Sequence, residues 1–297
     1  MVELLLEFGA NINKQNSRGN TALFLAAENV NPLERAVLLG QVETSTDLSL
    51  VELLVEQGAE KDLGDVDGVT PIMIATIKGH TEVVRFLMEG GASLDERDVR
   101  DHTIIHFAAM NNRHKVLSVL AADNEEVVAR LANLPNHMEN TALHLAAQAG
   151  NLETVRELLD GVYQVDVDNK NWDEQTPSHL AAAEGHSDVL KLLLQSDPNA
   201  IFDKDEEDNT PLHLAATRKQ SSTVETLLAA GEVEPKSIIY GIFSSGASFQ
   251  KRNRAMWTPL DCAAAAGCRQ CCELLINNGS ELDPVGNPCC DALPSSL

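Results

Sequence analysis

The side chains of this chain best suited to chemistry are its six cysteines and nine histidines, and their placement decides which chemistry is open to them. All six thiols, Cys262, Cys268, Cys271, Cys272, Cys289 and Cys290, fall within the last 36 residues. Cys268-Arg-Gln-Cys271 is a C-x-x-C, and with Cys289-Cys290 downstream four thiolates for zinc can be counted. Cys271 and Cys272, however, stand where an internally similar segment has Val83 and Val84. Cys262 likewise falls on an apolar position, and a free cysteine in such a place behaves as a small hydrophobe. The spacing therefore predicts buried Cys262 and Cys271, with no metal and no cofactor. It leaves Cys268, at a turn position, and Cys289 and Cys290, on a flexible 285–297 tail, as the thiols open to reaction.

Four histidines, His106, His144, His179 and His213, each follow a threonine by three residues in one recurring phrase. A side chain reused at the same place in four of seven copies of a phrase serves structure rather than catalysis or metal binding. Asp203-Lys-Asp205-Glu-Glu207 echoes the start of a calcium loop, but its sixth position is Asp208 instead of glycine and the closing glutamate is absent. Phosphate-binding, zinc-protease, nucleophile-elbow and dinucleotide signatures are not found. No catalytic constellation emerges, and the expectation is a protein that is not an enzyme.

Bulk composition narrows the field further. Lys and Arg number 22 against 45 Asp and Glu, a net charge of −23, which disfavours nucleic acid because phosphate affinity comes largely from cationic side chains. Hydrophobic residues make up 43% but aromatic ones only 4%, so the core must be built from Leu, Val, Ile and Ala. The amino terminus lacks a basic region before its apolar stretch, no apolar run reaches membrane-span length, and thiols are confined to one end. These features predict a chain exposed to reducing cytosol, without a disulfide scaffold.

The elements that must position these residues are set by repetition. Thr21-Ala-Leu-Phe-Leu-Ala-Ala27 returns as Thr70-Pro-Ile-Met-Ile-Ala-Thr76, Thr103-Ile-Ile-His-Phe-Ala-Ala109, Thr141-Ala-Leu-His-Leu-Ala-Ala147, Thr176-Pro-Ser-His-Leu-Ala-Ala182, Thr210-Pro-Leu-His-Leu-Ala-Ala216 and Thr258-Pro-Leu-Asp-Cys-Ala-Ala264. The threonines are 49, 33, 38, 35, 34 and 48 residues apart, a base period near 33 with two long intervals. Threonine, or a proline after it, starts a helix well, because the first N–H groups of a helix have no partner within it. Paired alanines admit a close neighbour. A second apolar pattern follows each phrase, often closed by Gly-Ala or Gly-Ser, as at Gly58, Gly91 and Gly279.

Phrase and period together resemble the ankyrin repeat, a hairpin finger followed by two antiparallel helices, over nearly the whole chain. The resemblance implies an all-α solenoid spanning 1–284, with a leading half repeat at 1–13, seven repeats and no internal domain boundary. It further implies that the recurring histidine bonds turn backbone and ties one repeat to the next. Neither end reads as capped, so neighbouring repeats or a covering protein are expected.

Two insertions enlarge the array, at about 28–50 between the helices of one repeat and at 232–251 in a finger. The second carries Ile239, Tyr240 and Phe243, which are too apolar for an idle loop, with packing and partner binding both open. Trp172 stands at an expected finger tip, where a large ring suits anchoring a partner or packing on the next finger. The acidic finger Asp203, Asp205, Glu206, Glu207 and Asp208 neighbours a basic one at Lys251, Arg252 and Arg254, and pairing between them is expected. Met73, Ile77 and Lys78 complete the candidate contact residues.

The resemblance implies a non-catalytic protein-interaction scaffold in the cytoplasm, and the acidity favours a partner with a basic surface. Arg252-Asn-Arg-Ala-Met-Trp-Thr-Pro-Leu-Asp-Cys-Ala-Ala-Ala-Ala-Gly267 also resembles a phrase in the cytoplasmic ankyrin region of ankyrin-type transient receptor potential cation channels. That likeness implies, as an alternative, an arm of such a channel. A targeting region of a ubiquitin ligase or kinase is the second alternative.

Overall fold

A computed structural model describes residues 2–29, 48–122, 124–232 and 250–280. Ile239, Tyr240, Phe243, Cys289, Cys290, the tail 285–297 and most of both insertions lie outside the described residues. The described residues form helices and turns without strands. In chain order the helices are α1 (Val2–Glu7), α2 (Ala22–Glu28), α3 (Ser49–Glu56), α4 (Pro71–Lys78), α5 (Thr81–Glu89), α6 (Ile104–Met110), α7 (His114–Ala122) and α8 (Glu125–Ala132). They continue as α9 (Ala142–Ala149), α10 (Leu152–Leu159), α11 (Pro177–Glu184), α12 (Ser187–Ser196), a 3-10 turn (Pro198–Phe202), α13 (Pro211–Thr217), α14 (Ser221–Glu232), α15 (Pro259–Ala266) and α16 (Arg269–Asn277).

Each recurring phrase folds as the first helix of a pair, and its threonine is the cap. Thr70 and Thr176 hold extended backbone, with φ −86° and ψ 165–166°, and a proline occupies the first turn beyond them. Several first helices end where glycine takes a left-handed conformation, at Gly79, Gly150, Gly185 and Gly267. A side chain there would be strained in that backbone. Helices this short are marginal alone, so packing must stabilise them. The paired alanines supply it: Ala108, Ala109, Ala146, Ala147, Ala181, Ala182, Ala215 and Ala216 are fully buried. Val83, Val84 and Leu87, on the inner face of a second helix, are fully buried as well.

Two compact units result, one made of Met1–His137 with Asp160–Gln164 and the other of Met138–Leu159 with Val165–Leu297. In the first unit α4 packs between α2 and α6, and α5 packs on α7. In the second, α9, α11, α13 and α15 stack in sequence, as do α10, α12, α14 and α16 behind them. The interval from Thr103 to Thr141 contains an additional helix, α8, which the repeat phrase does not announce. Its Val128, Leu131 and Ala132 are buried, and it packs on α6 and α7. Asn133 then donates from Nδ2 to the carbonyl of Gln164 at 3.0 Å, which draws the 160–164 segment into the first unit.

Candidate functional site

The fingers are built from one Asx turn used repeatedly. Asp65 Oδ1 accepts from the N–H groups of Asp67 and Val69 at 3.0 and 2.9 Å. Asn16, Asp98, Asn171 and Asp205 accept in the same way from residues two and four positions on. Short polar side chains suit this role because they replace a backbone acceptor in a tight turn. Neighbouring fingers are joined by main-chain bonds, from Val66 N–H to Arg18 O at 3.1 Å and from Val99 N–H to Asp67 O at 2.8 Å. In the second unit, Trp172 N–H donates to Met138 O, Glu206 N–H to Asp173 O and Arg254 N–H to Glu207 O. The approach is close: a Cβ on Gly19, at φ +79°, would lie 2.7 Å from Val66 N.

The repeat histidines fasten this edge to the helices. Nδ1 of His144, His179 and His213 accepts the N–H of its capping threonine at 3.2 Å. Nε2 of the same rings contacts the carbonyls of Gln175, Asn209 and Trp257 in the following finger, at 2.9, 3.1 and 3.1 Å. An acceptor at Nδ1 and a carbonyl at Nε2 together require the neutral ring protonated at Nε2. Burial pushes His144 and His179 down to about 4 and lowers His213 as well. His106 accepts from Thr103 N–H in the same geometry and is fully buried.

A second set of ties runs along the helix-to-helix turns. His80 reaches Glu28 O at 3.2 Å, Arg113 reaches Ile77 O at 2.9 Å, His186 reaches Gln148 O at 3.0 Å and Gln220 reaches Ala183 O at 3.3 Å. The residue types differ, so no motif marks the position. Each is a long polar side chain that satisfies a carbonyl left open at the end of the preceding first helix.

The surface of the finger edge is where the candidate contact residues divide. Trp172 is 61% exposed and Met138 is 39% exposed, on fingers joined by a main-chain bond. Glu206 and Glu207 are exposed on the next finger, with Asp173 beside Trp172. Asp208 faces Lys204 at 3.0 Å and Arg254 at 3.7 Å, so the acidic and basic fingers do meet there. Lys170 is held by Glu174 and by the carbonyl of Lys204. These contacts draw the local cations to Glu174 and Asp208, leaving Asp173, Glu206 and Glu207 outside any ion pair among the described residues. Trp257 is half-buried and serves the Asn253 turn and His213.

Three expected roles need correction. Met73 is 1% exposed because it fills the position taken elsewhere by the repeat histidine, so it packs in the core and faces no partner. Asp205 is 7% exposed and its carboxylate is occupied by three donors from Glu207 and Asn209. Cys268, expected to be exposed, is 9% exposed, because its position is the cap of α16 and faces the helix it starts. Ile77 is half-buried, and Lys78 is exposed and pairs with Glu28 at 3.4 Å.

The carboxylates that do converge are not the sequential acidic finger. Asp168, Asp197 and Asp203 bring oxygens within 4.8 Å of one another in the second unit. Burial, then the neighbouring Asp197, raises both Asp168 and Asp203 above the usual carboxylate range. Lys170 and Lys251 act on Asp203 in the opposite sense, and Lys251 also lies 4.5 Å above the Phe202 ring. This is a partly compensated acidic cluster. Among the described residues no helix is long and apolar enough to cross a membrane.

Comparison with known proteins gives matches along almost the whole length. A family model described as ankyrin repeats (3 copies) matches residues 41–130, 117–201, 143–239 and 201–285, and one described as ankyrin repeats (many copies) matches 1–39. The probable E3 ubiquitin-protein ligase XBOS32 of Oryza sativa subsp. japonica is 32% identical over 164 residues, 55% of this chain and 30% of the relative. The transient receptor potential cation channel subfamily A member 1 homolog of Caenorhabditis elegans is 31% identical over 130 residues, 44% of this chain and 10% of the relative. Inversin of Canis lupus familiaris is 28% identical over 153 residues, 51% of this chain and 14% of the relative. The chain thus spans less than a third of the length of each of these relatives.

Proposed function

Because the chain belongs to the ankyrin-repeat family, whose modules bind proteins, we propose that it acts as a non-catalytic scaffold whose partner docks along the finger edge of the second unit. The observation that carries this reading is Trp172, a large ring with most of its surface open, beside exposed Met138, with exposed Asp173, Glu206 and Glu207 outside any ion pair among the described residues. Exposed indole surface is costly in water and supplies much of the energy at protein interfaces. The acids around it favour a partner with a basic surface, by steering association and by excluding acidic competitors. Asp203 and Asp208 flank Glu206 and Glu207 on the same finger, whereas Ile77 and Lys78 belong to α4 of the first unit and form no part of this edge. Ile239, Tyr240 and Phe243 of the 232–251 insertion offer a second apolar contact on the same array.

A cytoplasmic setting, in which thiols stay largely reduced, suits this reading. The channel-like phrase at 252–267 and the similarity to the nematode channel support one further reading, that the array is the cytoplasmic arm of a cation channel. The similarity to the rice protein supports an arm that targets a ubiquitin ligase.

Affinity capture with the intact chain, compared with Trp172→Ala, tests the scaffold. A specific partner should bind the intact chain and lose about 30-fold in affinity, roughly 2 kcal/mol, to the variant. Equal capture by both, with the melting temperature unchanged, would remove the finger edge from the reading. Deleting residues 232–251 in the same experiment separates the insertion from the finger.

A further inference from the structure

The last repeat differs from the others at the start of its second helix. In the repeats before it, the residue preceding that helix is His80, Arg113, Asn151, His186 or Gln220, and the residue three positions on is Val83, Val116, Thr154, Val189 or Thr223. The last repeat has Cys268 and Cys271 in these two places. Cys268 caps α16, and its Sγ accepts the N–H of Cys271 at 3.3 Å. After burial, Cys268 is the next group that raises the Cys271 thiol, so the two thiols neighbour one another across the first turn. Residues three apart at helical spacing have Cβ atoms about 5–6 Å apart, beyond the roughly 3.5–4.5 Å of a disulfide, and the non-helical cap backbone of Cys268, at φ −92° and ψ 89°, is where the first turn can adjust to close that gap.

We propose that Cys268 and Cys271 form a reversible redox pair that closes to a disulfide when the chain meets an oxidised low-molecular-weight disulfide such as glutathione disulfide. The two thiols have different parts. Cys268 keeps a small opening to solvent, 9%, and sits at the N-terminal end of a nine-residue helix, where its sulfur accepts the Cys271 N–H. Cys271 is fully buried and is held protonated, pushed up to about 12 by burial and by the Cys268 thiol. Its S–H then serves as a donor to the sulfur that reacts first.

The exchange balances in two steps. The Cys268 thiolate attacks one sulfur of glutathione disulfide, forming a mixed disulfide and releasing one glutathione thiolate, which takes up a proton. Cys271 then gives up its proton to solvent and attacks Cys268 Sγ, closing the protein disulfide and releasing the second glutathione. Two protein thiols are oxidised and one glutathione disulfide is reduced to two thiols. Cys262 and Cys272 are also buried thiols but form no part of this cap.

The test treats the full reduced chain with glutathione disulfide, alkylates remaining thiols, and cleaves with trypsin, which cuts at Arg269 between the two cysteines. A Cys268–Cys271 bond links the two fragments until a reductant is added, and fragmentation assigns the pair. Cys268→Ser should abolish the link. Cys271→Ser should instead stop at Cys268 carrying glutathione, an outcome that does not depend on the oxidised fold. In the reduced chain Cys268 should be alkylated about tenfold faster than Cys262 or Cys272. Linked fragments that persist in Cys268→Ser, or uniformly unreactive thiols in a folded chain with an unchanged melting temperature, would overturn the proposal.

Discussion

Thr70 shows what one side chain contributes to a finger joint. Its Oγ1 is buried without a hydrogen-bond partner, whereas the equivalent Thr141, Thr176 and Thr210 hydroxyls lie 2.9 Å from a histidine Nδ1. Met73 occupies the histidine position and offers nothing to the hydroxyl. Met73→His should therefore raise unfolding free energy by about 1 kcal/mol in urea titrations, the usual net gain for one buried hydrogen bond; a loss of that size would contradict the joint. Asp203 supplies the opposite case, a carboxylate that folding disfavours. Burial and Asp197 raise its pKa above the usual 3.8, so the folded state holds the proton more tightly than the unfolded one. Its contribution is most favourable below that unfolded value and is lost as pH rises through the folded value. Asp203→Asn should increase the melting temperature at pH 7 and leave it unchanged near pH 3, and an equal gain at both would contradict the electrostatic origin. Residue types were readable here, but burial was not. Met73 is legible as a misfit only when its offset from Thr70 is compared with that of His106 from Thr103. Nothing local marks Asp205 or Cys268 as turned inward.

At the scale of elements, His144, His179 and His213 couple their first helices to the following finger, and the coupling has a pH signature. A neutral ring that must charge on acidification has a depressed folded pKa, so its stabilisation is complete above the unfolded value near 6.5 and disappears as pH falls toward about 4. His144 and His179 each contribute on the order of 3 kcal/mol in this window. Imidazole proton NMR should place their titration midpoints near 4, with unfolding free energy falling between pH 6.5 and 4; midpoints near 6.5 would show that the rings are free of the joint. The first helices were legible because a phrase repeated at each one carries cap, apolar face and paired alanines together. Helix α8 was not, although the Thr103 to Thr141 interval exceeds the base period by about five residues and Val128, Leu131 and Ala132 follow helical spacing. Without a neighbour in view, five extra residues read equally well as loop. The carbonyl ties from His80, Arg113, His186 and Gln220 were hidden for a different reason, since four positions share a geometry but not a residue type.

The whole molecule combines a core of small aliphatic side chains with a surface carrying a large excess of acid. Length and repeat phrase indicated the family, while the grouping into two compact units did not follow from either. It coincides with α8, where Asn133 takes hold of the Gln164 carbonyl. The acidic excess is not evenly available: turns use Asp65, Asp98 and Asp205, ion pairs use Glu174 and Asp208, and Asp173, Glu206 and Glu207 stay open beside Trp172. A partner held by those acids should bind less well as salt screens them, whereas one held only by the indole should be nearly indifferent. The measurement that bears most directly on the scaffold is photo-crosslinking from position 172 in cell extract, compared with position 225, exposed on α14 away from the fingers. The account predicts a discrete protein adduct from 172, weakened by added salt, and none from 225. Adducts of equal yield from both positions, or an adduct from 225 alone, would contradict it.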